Sequence, residues 1–101
     1  MTQNNTIAKV VVRKEYYESG ALSWEISCVN GIRHGITKGY YESGALWYET
    51  PYVRGNIHGI VKSYEEGKSN IYRLALYEKG HKVASVKSNI KGDRSWSRII
   101  L

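Results

Sequence analysis

The stretch YYESGAL stands twice in this chain, at Tyr16–Leu22 and at Tyr40–Leu46, identical at every position. An exact repeat at a spacing of 24 residues constrains the fold more than any other feature. A unit that recurs at a short fixed period cannot bury its own apolar side and must stack on copies of itself. Extending the copies lengthens the match: KEYYESGALSWEISCVNGIRHGI runs from Lys14 to Ile36, and KGYYESGALWYETPYVRGNIHGI from Lys38 to Ile60. Glu25 then aligns with Glu49, Val29 with Val53, Gly31 with Gly55, His34 with His58 and Gly35 with Gly59. A third copy, Lys62 to Gly80, keeps Tyr64, Glu66, Gly67, Tyr77 and Gly80 but lacks the His-Gly pair.

Glycines 20, 31, 44, 55, 67, 80 and 92 recur every 11 to 13 residues, separated by stretches rich in Tyr, Trp, Val, Ile and Thr. That is the pattern of short strands joined by regular turns. Asn30-Gly31 fits a type I′ turn, whose two central residues both need positive φ, and Glu18-Ser19-Gly20 and Glu42-Ser43-Gly44 mark the opposite turns. The chain therefore reads as all-β: an antiparallel meander of repeated hairpins in a single-layer twisted sheet of about seven or eight strands. Strands are expected near residues 8–17, 21–29, 32–41, 45–53, 56–64, 70–78, 81–87 and 94–100. The whole is one domain, with repeats over about 14–37, 38–61 and 62–82 and a divergent tail over 83–101.

Counting back from the Asn30-Gly31 turn predicts that Ile26 faces Gly35, Trp24 faces Thr37 and Leu22 faces Gly39. One face then carries Leu22, Trp24, Ile26 and Cys28 with Gly35, Thr37, Gly39 and Tyr41, large side chains lying over glycines. The other face is more polar, with Glu25 diagonal to Lys38 and Glu49 diagonal to Lys62. Trp47 aligns with Ser23 and is expected on that polar face, together with Tyr40. On this register Gly35→Val fills the space that Trp24 and Ile26 need, and Trp47→Ala leaves folding intact.

The pattern E-x-x-Y-x-x-G-x-x-H-G combined with K-x-Y-Y-E-S-G-A-L resembles the MORN repeat, and more closely the bacterial variant found in small antitoxin and immunity proteins. The resemblance covers roughly Lys14–Gly80. It implies a cytoplasmic protein that neutralises a cognate toxin by binding it, or a related phage-borne inhibitor of a host enzyme. The residues after Gly80 lie outside the family pattern.

Chemistry is sparse. No nucleophile, acid and base fall together in a pattern that would form a catalytic site. His34 and His58 are repeat equivalents, each four residues after a turn residue, and are expected to brace turns rather than bind metal. Cys28 is the only cysteine, which excludes an internal disulfide and Cys-based zinc spacing. There is no phosphate-binding glycine loop, no run of about 18 apolar residues, and no signal-peptide order at the start. The expectation is a non-enzyme without a cofactor, in the cytoplasm.

Binding is left, and composition favours it: nine tyrosines and three tryptophans, with no phenylalanine. Such side chains combine apolar area with a polar tip and suit contact surfaces. The net charge of +6 sits wholly in residues 51–101, which hold ten basic and four acidic side chains. The expected partner is thus a protein, a toxin or enzyme with an acidic patch. The candidate contact residues are Trp47, Tyr40, Lys62, Arg73, Lys79, Lys82, Lys87, Arg94, Trp96 and Arg98. Single-stranded nucleic acid, stacked on the aromatics beside the basic half, is a second reading. A scaffold or membrane-surface module, with SRIIL inserting shallowly, is a third. The final strand, RSWSRIIL, is expected either to fold back over the apolar face or to pair with a partner.

Overall fold

The computed structural model describes residues 9–67, 70–88 and 96–99. Within them the chain forms one antiparallel sheet and no helix. Its strands are β1 (Val10–Tyr16), β2 (Leu22–Val29), β3 (Ile32–Arg33), β4 (Gly35–Tyr40), β5 (Leu46–Val53), β6 (Asn56–Ile57), β7 (Gly59–Tyr64), β8 (Ile71–Glu78), β9 (His81–Ser88) and β10 (Trp96–Ile99). The order β1-β2-β4-β5-β7-β8-β9-β10 follows the sequence, with β3 beside β2 and β6 beside β5. The molecule measures 61 × 37 × 17 Å. All the strands of the described residues belong to that one sheet, so they form a single layer.

Each expected strand is present to within about two residues, and the two glycine-containing stretches at 32–41 and 56–64 are each divided at a histidine. The expected last strand is β10. It runs antiparallel to β9 in the plane of the sheet, with Arg98 opposite Val86, instead of lying over a face. The expected turns are also present: Asn30-Gly31, Arg54-Gly55 and Lys79-Gly80 all carry positive φ at both positions, as type I′ requires. At the other end of the hairpins, Gly20 N–H donates to Tyr17 O and Gly44 N–H to Tyr41 O. Gly20 and Gly44 have φ near +97° and +96°, so each closes a three-residue loop with a glycine in left-handed geometry.

The register departs from expectation by two residues. Val29 pairs with Ile32 as counted, but Trp24 lies opposite Gly39 and Glu25 directly opposite Lys38. Two extra residues are taken up at His34-Gly35, where Gly35 has φ +94° and His34 N–H donates to Ser27 O at 3.0 Å. His58-Gly59 repeats the device, with His58 N–H donating to Pro51 O. A shift of two does not by itself alter the alternation of faces. It does move the glycine beneath the tryptophan: a Cβ on Gly39 would stand 2.5 Å from Trp24 Cζ3, whereas one on Gly35 would meet Ser27 Oγ at 3.2 Å. Gly35 thus does not make room for Trp24 and Ile26; Gly39 makes room for Trp24.

Directly opposed residues of an antiparallel sheet share a face. One row across the sheet is Glu15, Trp24, Gly39, Tyr48, Ser63, Arg73 and Lys87. Beside it run small or slim side chains, of which Ile26, Thr37, Ala75 and Ser85 are buried. The core is therefore a thin stripe of small residues roofed by aromatic rings. The row on the opposite face is Lys14, Glu25, Lys38, Glu49, Lys62, Leu74 and Val86. Its charges alternate across the first five strands, as cross-strand pairs favour.

Candidate functional site

The aromatic face owes its form to three β-bulges. Opposite Glu15/Tyr16, Gly39/Tyr40 and Ser63/Tyr64 the partner strand carries one extra residue: Ser23, Trp47 and Tyr72 respectively. A bulge sets two residues against one and breaks the strict alternation of faces. Trp47 therefore joins the aromatic face instead of the polar one. Its ring stacks on Tyr41 at 5.2 Å, packs on Tyr48 at 4.7 Å and meets Trp24 of the preceding repeat at 6.3 Å. Tyr40 stays on the opposite face, so these two expected partners are on different surfaces.

Two open grooves cross the aromatic face. One, about 570 Å³, is lined by Tyr41, Trp47, Tyr48, Tyr72, Arg73 and Lys82 among others. The second, about 300 Å³, lies between Trp24, Ile26, Thr50, Tyr52, Ile57 and Val61. Val61 and Tyr48 border both. In the smaller groove Arg33 is held, its Nη1 donating to Tyr52 Oη at 3.1 Å and its guanidinium 5.3 Å from the same ring. In the larger one Arg73 and Lys87 both approach Tyr72, at 5.9 and 5.7 Å from its centroid, within cation–π range.

The polar face is organised by phenol–carboxylate bonds. Tyr40 Oη donates to Glu25 Oε1 at 2.5 Å and Tyr64 Oη to Glu49 Oε1 at 2.6 Å. Glu25 and Glu49 face Lys38 and Lys62 directly and not diagonally, yet neither lysine forms an ion pair: Arg13–Glu15 is the one ion pair among the described residues. Burial, then the carboxylate bond, pushes the phenols of Tyr40 and Tyr64 up to about 12. Burial followed by the charge of Glu66 raises Tyr41 as well.

The histidines brace turns as expected. His34 Nδ1 accepts from Arg54 N–H at 3.2 Å, and His58 Nδ1 from Lys79 N–H at 3.0 Å. Each ring thus supports the next repeat's type I′ turn at its non-glycine, positive-φ residue. Tyrosines link the repeats at the other end: Tyr17 Oη donates to Tyr40 O and Tyr41 Oη to Tyr64 O. Among the described residues no group of three or more His, Cys, Asp or Glu could hold a metal ion, and Cys28 is buried.

Residues 33–54 match the MORN repeat variant. The matched segment runs from the end of β3 through β4 and β5 to Arg54 of the second type I′ turn, one unit of the stack. Neither a search of curated proteins nor one of solved structures returned a match. Within this MORN-type unit lie Tyr40, Tyr41, Trp47 and Tyr48, which the fold divides between the two faces. Of the remaining expected contact residues, Arg73, Lys82 and Lys87 lie on the aromatic side and Lys62 on the polar one. Lys79 sits in an exposed turn. Trp96 and Arg98 stand in β10 opposite Ser88 and Val86, and Arg94 lies outside the described residues.

Tyr72, Tyr48 and Tyr77 were not among the expected contact residues. Their signal was present in the sequence. Counting inward from the Glu42–Gly44 turn puts Gly39 opposite Trp47, while the 24-residue repeat sets Tyr48 in the place of Trp24. Both demands are met only by a bulge that sends Trp47 and Tyr48 to one face.

Proposed function

We propose that this chain is a protein-binding module that lays its aromatic face on a partner, and specifically a small inhibitor that neutralises an enzyme, such as a cognate bacterial toxin, by direct binding. One observation carries the reading: tyrosine and tryptophan side chains from successive repeats line two adjoining open grooves on one face of a single-layer sheet. Aromatic side chains with one polar end are the residue types that dominate interface energetics. A sheet tied by hydrogen bonds at both ends of its hairpins meets a partner with little ordering cost. The repeat histidines support a non-catalytic role, since their Nδ1 atoms are taken up by turn amides. The inhibitor part of the reading is carried by the resemblance of the repeat to the antitoxin group.

The test uses neighbouring residues on opposite faces. Val61 borders both grooves, and Ile60 is 48% exposed on the other side. Affinity capture from host lysate, with nuclease and a high-salt wash, should recover one stoichiometric protein with the wild type and with Ile60→Arg, and lose it with Val61→Arg. Capture lost only with Ile60→Arg would refute the assignment of the face, and capture that disappears with nuclease would refute a protein partner.

A further inference from the structure

The larger groove contains a local conflict of charge. Arg73 on β8 and Lys87 on β9 are directly opposed, the placement in which like charges repel most strongly within a sheet. Both crowd the ring of Tyr72, and Lys82 lines the same groove. No carboxylate of the described residues pairs with any of the three. Arg73 Nε is buried without a hydrogen-bond partner, a state that costs free energy in the isolated protein. The equivalent positions in the earlier repeats are Trp24 and Tyr48, so the stack itself has no need of a cation there. A like-charge pair kept together, with a buried donor left unmade, is what an anion-binding site looks like before the anion arrives.

We propose that this groove takes an acidic segment of the partner protein, whose carboxylates sit between Arg73 and Lys87 and beside Lys82 while its apolar side chains cover Tyr72, Tyr48 and Trp47. This rests on the protein-binding reading above and adds the chemistry of the partner. Lys82 lies opposite Tyr77 and Lys87 opposite Arg73, so the two cationic points are about 13 Å apart at the rise of a strand. An extended segment with acidic residues four positions apart spans that distance. A polynucleotide fits less well, because it carries a charge at every unit whereas the cations here stand at two separated points.

The test is a titration of the full chain with three probes: a seven-residue capped peptide bearing glutamates four positions apart around three apolar residues, its glutamine counterpart, and a ten-nucleotide oligothymidylate. Tryptophan emission and backbone amide shifts report binding. Saturable shifts of amides on β8 and β9 with the acidic peptide, at least tenfold weaker for the glutamine peptide and for Arg73→Gln or Lys87→Gln, are expected. Lys82→Gln, at an exposed position, should weaken binding to a smaller degree and serves as the variant least able to disturb folding. No saturation, equal binding of the glutamine peptide, or tighter binding of the oligonucleotide would each overturn the proposal. In the capture experiment, retention of the partner by Arg73→Gln and Lys87→Gln with loss by Val61→Arg would remove the acidic segment and leave the aromatic face standing.

Discussion

Gly39→Ala isolates the contact on which the observed register depends. A Cβ at this position would lie 2.5, 2.7 and 3.0 Å from Cζ3, Cη2 and Cε3 of Trp24. Ordinary contact needs roughly 3.5–4.0 Å, so the indole must rise by about 1 Å or swing off the sheet. Rising strains packing that costs about 1–3 kcal/mol when a core is overfilled. Swinging off forfeits the pairing with Trp47, worth about 0.5–1.5 kcal/mol, along with the cover over Ile26. Alanine recovers about 0.4–1 kcal/mol by stiffening the unfolded chain, because Gly39, unlike Gly35, has no positive φ to protect. The balance is a loss of about 1–2 kcal/mol, a fall in Tm of roughly 5–15 °C for a domain of this size. Thermal unfolding followed by circular dichroism measures it, and Trp24→Leu in the same chain should return most of the loss. An unchanged or higher Tm for Gly39→Ala would refute the placement of Trp24 over Gly39.

Trp47→Ala should lower stability by about 2 kcal/mol in a denaturant titration, since its ring is half-buried among Trp24, Tyr41 and Tyr48; a variant as stable as wild type would return Trp47 to the role of a pure contact residue. Tyr40 and Tyr64 are raised from 10.0 to about 12, so the fold favours the neutral phenol. Their stabilisation is whole below pH 10 and is lost as the pH rises through 12. An absorbance titration at alkaline pH should show two late-ionising tyrosines, one of them absent in Tyr40→Phe, and a normal midpoint for both would refute the phenol–carboxylate bonds. His58→Ala should cost about 1 kcal/mol and speed hydrogen exchange at the Lys79 amide, whereas unaltered exchange there would mean that the turn does not use the ring.

Much of this architecture could be read from glycine and histidine positions. Turns are local, and an Asn-Gly or Ser-Gly pair fixes one within a few residues, so strand order and length followed directly. Register was harder because it depends on an insertion that the turn does not announce. Simple alternation makes Gly35 a floor for the large side chains, whereas Gly35 and its repeat equivalent Gly59 serve as positive-φ hinges. The face of Trp47 failed for a related reason: alternation is a rule for regular strands, and a bulge suspends it. The Arg73–Lys87 opposition depends on the pairing of β8 with β9 in the least repeat-like part of the chain, where no periodicity points to it.

Tyr17 binds the hairpin after its own, Tyr41 does the same, and each histidine supports the turn one repeat ahead. Among the described residues, substantial contacts run only between neighbouring strands. Energetically this is a one-dimensional chain of coupled units, in which stability is close to a sum of unit and nearest-neighbour terms. A lesion in one hairpin should then loosen its neighbours in order of distance and leave the far end of the sheet protected. The grooves inherit that gradient, because each is walled by residues of more than one repeat. Binding across them would stiffen the couplings themselves, so a partner seated on the aromatic face would make the stack melt more nearly as one body than it does alone.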